Sequence, residues 1–183
     1  FLITPDQALT NSHCVMKEIK KNPTLARQYM EIVFPKSAQH EFIKVPIEQV
    51  LYTSPLSSEK SLQGKYPDYA VLKLSFPITS RKPLELSNEG VSDQLKLMLV
   101  SVNPASDSIL LGIVRLNTCY SLMYSAIQPS FQNIFTSVIS FYGCPIEHGN
   151  SGSPMLDETL KVRAILHAGL EGKSLQYTKK RLN

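Results

Sequence analysis

Apolar positions along this chain come in short bursts, not in long helical stripes. "MEIVFP" (30–35), "FIKVPIEQVLYT" (42–53), "YAVLKLSF" (69–76), "LKLMLVSV" (95–102), "ILLGIVRLN" (109–117), "FTSVISFY" (135–142) and "VRAILHAGL" (162–170) are rich in Val, Ile, Leu and aromatics. Clusters of Pro, Asn, Ser and Gly separate them, as turns separate strands. The spacing predicts an all-β barrel or sandwich and disfavours alternating β/α units. "VMKEIKKNPTLARQYM" (15–30) predicts a turn or two of helix broken at Pro23, and the C-terminal end of the chain predicts a short helix. "TSRKPLELSNEG" (79–90) reads as a linker between two groups of strands, dividing the chain into residues 1–82 and 83–183.

Composition narrows the setting. The 183 residues are enough for one domain or for two half-domains sharing a cleft. With 43% hydrophobic and 19% charged residues the composition is globular, and no apolar tract is long enough for a membrane span. Phe1 begins no signal-peptide pattern, so a targeting segment is expected upstream or not at all. The net charge of +4 comes largely from "KEIKKN" (17–22) and "KKR" (179–181), which read as solvated surface. Without aromatic interleaving or a binding motif they imply no nucleic-acid or membrane partner. Cys14, Cys119 and Cys144 match neither a disulfide framework nor a CxxC zinc pattern, and an odd count leaves one unpaired within the chain.

Three stretches carry chemistry together: "ALTNSHCV" (8–15), "YPDYAVLKL" (66–74) and "HGNSGSPML" (148–156). Each puts a His, an Asp or a Ser at the edge of an apolar run, where a strand delivers it to a loop. A serine hydroxyl is a poor nucleophile at neutral pH. It needs an imidazole to take its proton and a buried carboxylate to fix that imidazole's tautomer. The order His, Asp, Ser is that of the chymotrypsin-like arrangement and differs from those of α/β-hydrolases and subtilisins.

At these residues the sequence resembles the trypsin/chymotrypsin-like serine proteases, with "LTNSHCV", "PDYAVLKL" and "GNSGSP" standing for the family's three boxes. The resemblance implies a double β-barrel and a serine endopeptidase of the hydrolase class. In it His13 is the general base, Asp68 its orienting carboxylate and Ser151 the nucleophile, and the N–H groups of Gly149 and Ser151 form the oxyanion hole. No metal or organic cofactor is implied, and the partner is a protein or peptide substrate. The competing expectation is a protease-fold domain that binds peptide but is silent, or gated by a partner or an upstream segment.

Departures from the family pattern add detail. Asn150 replaces the aspartate that pairs with a new N-terminus in the pancreatic enzymes, and "GNSGSP" resembles the bacterial glutamyl endopeptidases. In that branch a histidine on the strand after the nucleophile helps to bind an acidic side chain. His167 falls there, followed by Ala168 and Gly169, and Ile146, five residues before the nucleophile, stands where that branch carries an assisting hydroxyl. The acidic preference stands beside a small or apolar one. The resemblance also implies that strands are missing before Phe1, that the partner of Cys14 lies among them, and that Cys119 and Cys144 pair with each other. Such a disulfide implies an oxidising compartment, secreted or periplasmic.

Overall fold

The computed structural model describes residues 1–54, 68–102, 114–122, 140–147 and 149–167. They form two five-stranded antiparallel sheets. The first contains β1 (Leu2–Thr4), β2 (Gln7–Thr10), β3 (Glu31–Phe34), β4 (Ile43–Thr53) and β5 (Ala70–Leu74) in the order β1-β2-β5-β4-β3. The second contains β6 (Lys96–Val102), β7 (Val114–Leu122), β8 (Ser140–Tyr142), β9 (Pro154–Leu156) and β10 (Val162–Ile165) in the order β10-β9-β6-β7-β8. The C-terminal helix expected from the sequence lies outside the described residues.

Strict alternation builds the sheets where it occurs. In β5, Ala70, Leu72 and Leu74 point into the first core while Val71 and Lys73 are half-buried. In β6, Leu97 and Leu99 do the same in the second core. β4 departs from the pattern: Val45 and Ile47 are buried two apart, but the next buried residue is Val50. The register on β5 shifts between Ile47 and Gln49, and the extra residue accounts for the skipped beat. Pro46 marks the change of partner, since residues before it pair with β3 and those after it with β5. A residue without an N–H is tolerated at such a handover because no continuous ladder crosses it.

The predicted helical stretch folds as α1 (Lys17–Lys21), a 3-10 turn at Pro23–Leu25 and α2 (Ala26–Tyr29). Pro23 cannot continue the α1 ladder and instead opens the next turn. Ile19 and Ala26 are buried in the first core, which fastens this excursion beneath the sheet. The run at 79–90 is laced to both sheets: the Leu84 N–H donates to the Leu2 carbonyl, while Glu85 and Ser87 exchange backbone hydrogen bonds with Val162. Arg163 adds an ion pair to Glu89 and another to Asp157.

Candidate active site

β2 ends by delivering Asn11 and a single 3-10 turn, Ser12–Cys14, which carries His13. Asn11 is fully buried, and its Nδ2 donates to the Asp68 carbonyl at 2.7 Å. The next residue, Tyr69, just before β5, exchanges two bonds with Ser54: the Tyr69 N–H reaches the Ser54 Oγ at 3.2 Å, and the Ser54 N–H the Tyr69 carbonyl at 2.9 Å. Buried Ser12 donates its hydroxyl to the Ser54 carbonyl. The backbone entering β5 is thus held from both sides before any catalytic group is considered.

On this mount the Asp68 carboxylate accepts twice from one residue. Its Oδ1 takes the His13 N–H at 3.0 Å, and its Oδ2 takes His13 Nδ1 at 2.5 Å. The Asp68 side chain is 2% exposed and that of His13 38% exposed, so a buried anion orients a solvent-facing imidazole. Burial alone would raise the Asp68 carboxyl. Hydrogen bonds from His167 and His13, with the charge and N–H of His13, outweigh it and hold the group at about 2. An ionised carboxylate only accepts, so a neutral His13 carries its proton on Nδ1 and its lone pair on Nε2.

His167 reaches the same carboxylate, its Nδ1 lying 2.5 Å from Asp68 Oδ2 across 99 residues of sequence. The two imidazoles meet edge to face with centroids 5.7 Å apart. The sequence assigned His167 to substrate binding, whereas its ring here rests on the orienting carboxylate. Ala168 and Gly169 lie outside the described residues, as does His148.

The Ser151 loop joins the sheets from the other side. Gly149 and Gly152 have φ of 90° and 81°, in the left-handed region, so both flanks of the Asn150-Ser151 step need glycine. At Gly152 space is also limiting: a Cβ would lie 2.6 Å from Thr10 Oγ1, because the turn closes against the end of β2. Asn150 is buried and folds the loop on itself, accepting the Glu147 N–H at 2.8 Å and donating its own N–H to the Glu147 carbonyl. The Gly152 N–H donates to the Leu166 carbonyl and the Leu166 N–H to the Ser153 carbonyl, fixing the turn to the end of β10. Ser151 Oγ donates to the His167 carbonyl at 3.4 Å, and no hydrogen bond joins it to His13. Among the described residues neither the Gly149 nor the Ser151 N–H has an acceptor.

Behind the loop, Cys119 in β7 and Cys144 form a disulfide. Cys144 and Ile146 pack against the second core, and Cys14 is a free, exposed thiol. The sequence reading missed Asn11, Ser54 and the folding role of Asn150. A polar residue between a strand end and the histidine was the available signal for Asn11, since a buried amide must find a partner.

Comparison with known proteins agrees with this architecture. The profile of the trypsin-like peptidase domain matches residues 1–165. No curated protein sequence matches the chain. Among solved structures, the scabies mite inactivated protease paralogue S-I1 superposes with a TM-score of 0.67 at 15% identity, covering 99% of this chain and 85% of its own. The scabies mite paralogue S-D1 gives 0.66 at 13% identity, covering 99% and 84%. Neuropsin, a serine protease from mouse brain, gives 0.65 at 13% identity, covering 100% and 87%. The two sheets are therefore the halves of a chymotrypsin-like double β-barrel, and the chain belongs to the trypsin-like peptidase family.

Proposed function

We propose that this protein is a serine endopeptidase in which His13, Asp68 and Ser151 form the catalytic triad. The observation that carries the reading is the buried, ionised Asp68 holding His13 Nδ1 and its N–H at once, with Ser151 on a glycine-flanked turn closed against the same strand end. For acylation, Ser151 Oγ rotates from the His167 carbonyl to His13 Nε2 and attacks the scissile carbonyl carbon as its proton passes to His13. The oxyanion forms between the N–H groups of Gly149 and Ser151, a contribution of about 3 to 4 kcal/mol per donor in such holes. The imidazolium, stabilised by Asp68, protonates the leaving amine, and water then reverses the steps on the acyl-enzyme. Residues 85–87 already pair with β10 at Val162, so an extended peptide can add as a strand only further along this sheet edge, from about Ala164 onward.

The glutamyl-endopeptidase-like preference takes a conditional form. Because His167 Nδ1 faces an ionised acceptor, its Nε2 donates to a substrate carboxylate only when the ring is an imidazolium. A preference for Glu over Gln before the cut thus requires a charged His167, and equal rates on peptides matched except for Glu or Gln there would exclude it. The disulfide suits secretion or a periplasmic location.

One observation favours a second reading, a silent or partner-gated peptide-binding domain: the Ser151 hydroxyl is bonded to the His167 carbonyl, not to His13. Two of the similar structures are inactivated protease paralogues by name. Intact-mass detection of a fluorophosphonate adduct, with Ser151→Ala as control, decides between them. An adduct on the parent alone supports the peptidase; no adduct on either protein supports the silent domain.

A further inference from the structure

The triad carboxylate is shared by two histidines, and this arrangement does more than orient a base. His13 Nδ1 and His167 Nδ1 converge on Asp68 Oδ2, each at 2.5 Å, and one ligand atom from each of the three residues lies within 4.8 Å of the others. Two imidazole nitrogens and one carboxylate oxygen are a donor set for a borderline transition cation such as Zn2+, whereas Mg2+ and Ca2+ favour all-oxygen sites. We infer that His13, Asp68 and His167 form an inhibitory Zn2+ site laid over the triad.

The geometry needs a modest rearrangement. Tetrahedral coordination at about 2.0 Å per bond sets ligand atoms about 3.3 Å apart, so each imidazole must draw back from Asp68 by somewhat less than an ångström while the two ring nitrogens, within 4.8 Å, close on one another. The side chains of His13 and His167 are 38% and 23% exposed, so both rings can withdraw toward solvent, and water can supply the fourth ligand. Asp68 stays in place because its Oδ1 keeps the His13 N–H and its backbone keeps Asn11.

Coordination reverses the tautomer that the apo site enforces. Each neutral imidazole keeps its single proton, which moves from Nδ1 to Nε2 as Nδ1 takes the cation. No proton is gained or lost, but His13 no longer offers a lone pair to Ser151. The metal therefore switches off the general base without touching the serine. The site rests on the described geometry; only its inhibitory consequence rests on the peptidase reading.

The experiment is a Zn2+ titration of the metal-free protein against a chromogenic indicator, with fluorophosphonate labelling in parallel. The expected result is one Zn2+ bound with affinity weakened at least about tenfold by His167→Gln and unchanged by His40→Gln. Saturating Zn2+ should suppress labelling, and chelator should restore it. As a check on unmodified protein, 15N-labelled histidine should show two rings switching to Nδ1 coordination with the proton on Nε2. Absence of binding, binding indifferent to His167→Gln, or coordination through Nε2 would each overturn the proposal. The two readings fail separately: a chain that binds Zn2+ in this way but is never labelled keeps the metal site and loses the peptidase.

Discussion

The two ends of the candidate site are built to different standards. At the carboxylate end, Asp68 is held by Asn11 through its carbonyl, by the Ser54–Tyr69 exchange one residue on, and by two bonds from His13. At the nucleophile end, Ser151 has one long hydrogen bond of 3.4 Å, and its loop is shaped by two left-handed glycines and the Asn150 amide. Asp68 and His13 are fixed by a network from three segments around the first sheet. Ser151 is positioned by backbone conformation, and the proposed attack needs its hydroxyl to leave the His167 carbonyl.

The sharpest way to break this contrast is Asp68→Asn. An amide can accept at only one of its two ends, so either the His13 N–H or an imidazole faces a donor, and the tautomer that exposes Nε2 is no longer enforced. The fluorophosphonate labelling rate should fall by about 10⁴-fold while Ser151 stays chemically intact. A fall of less than about tenfold would show that the carboxylate is not what prepares His13.

Gly152→Ala attacks the other end. The added Cβ meets Thr10 Oγ1 at 2.6 Å with φ at 81°, so clash and backbone strain act together. Strain of this kind costs about 1 to 3 kcal/mol, a lowering of roughly 2 to 12 °C in Tm for a chain of this size. Adding Thr10→Ala removes the clash but not the strain, so the double variant should recover part of the Tm. No recovery would mean that the contact with β2 is unimportant and only the backbone conformation matters.

Asn150 offers a finer distinction. Asn150→Ala removes the acceptor of the part-buried Glu147 N–H bond, at a cost of about 0.5 to 1.5 kcal/mol in unfolding measurements. Asn150→Asp keeps an acceptor oxygen there and should restore most of the loss. Equal destabilisation by both would show that the amide's donor side carries the effect.

What the sequence disclosed follows the same division. His13, Asp68 and Ser151 could be singled out because each sits in a short box whose neighbours are set by local backbone needs. The left-handed positions at 149 and 152 demand glycine, and the alternating β5 run follows Asp68 directly. The strands were legible wherever apolar residues cluster, but β9 was not singled out, because Pro154–Leu156 is three buried residues without a polar beat. The bond between Asp68 and His167 spans 99 residues and could not be read from spacing. His167 was noticed as a pocket residue, while its contact depends on the fold bringing the segment after β10 to the residues before β5.

The smallest effect expected is a shift of the acid-unfolding midpoint, and its sign follows from the same carboxylate. Asp68 is held at about 2 in the fold against an ordinary value of 3.8, so the folded state binds this proton less readily than the unfolded chain. Its stabilisation, roughly 2 kcal/mol, is complete above about pH 4 and is lost as pH falls toward 2. Asp157, held below its usual range by Thr159, Lys161 and Arg163, adds a loss of the same sign in the same window. The two can be separated because only Asp68 is bonded to His167. In His167→Gln the first bond holding Asp68 down is weakened, so its carboxyl should rise and the acid-unfolding midpoint move to higher pH. The Asp157 share should be unchanged. A midpoint unmoved by His167→Gln would mean that His13 and burial alone set the state of the carboxylate, making the second histidine a neighbour of the triad and not a part of its electrostatics.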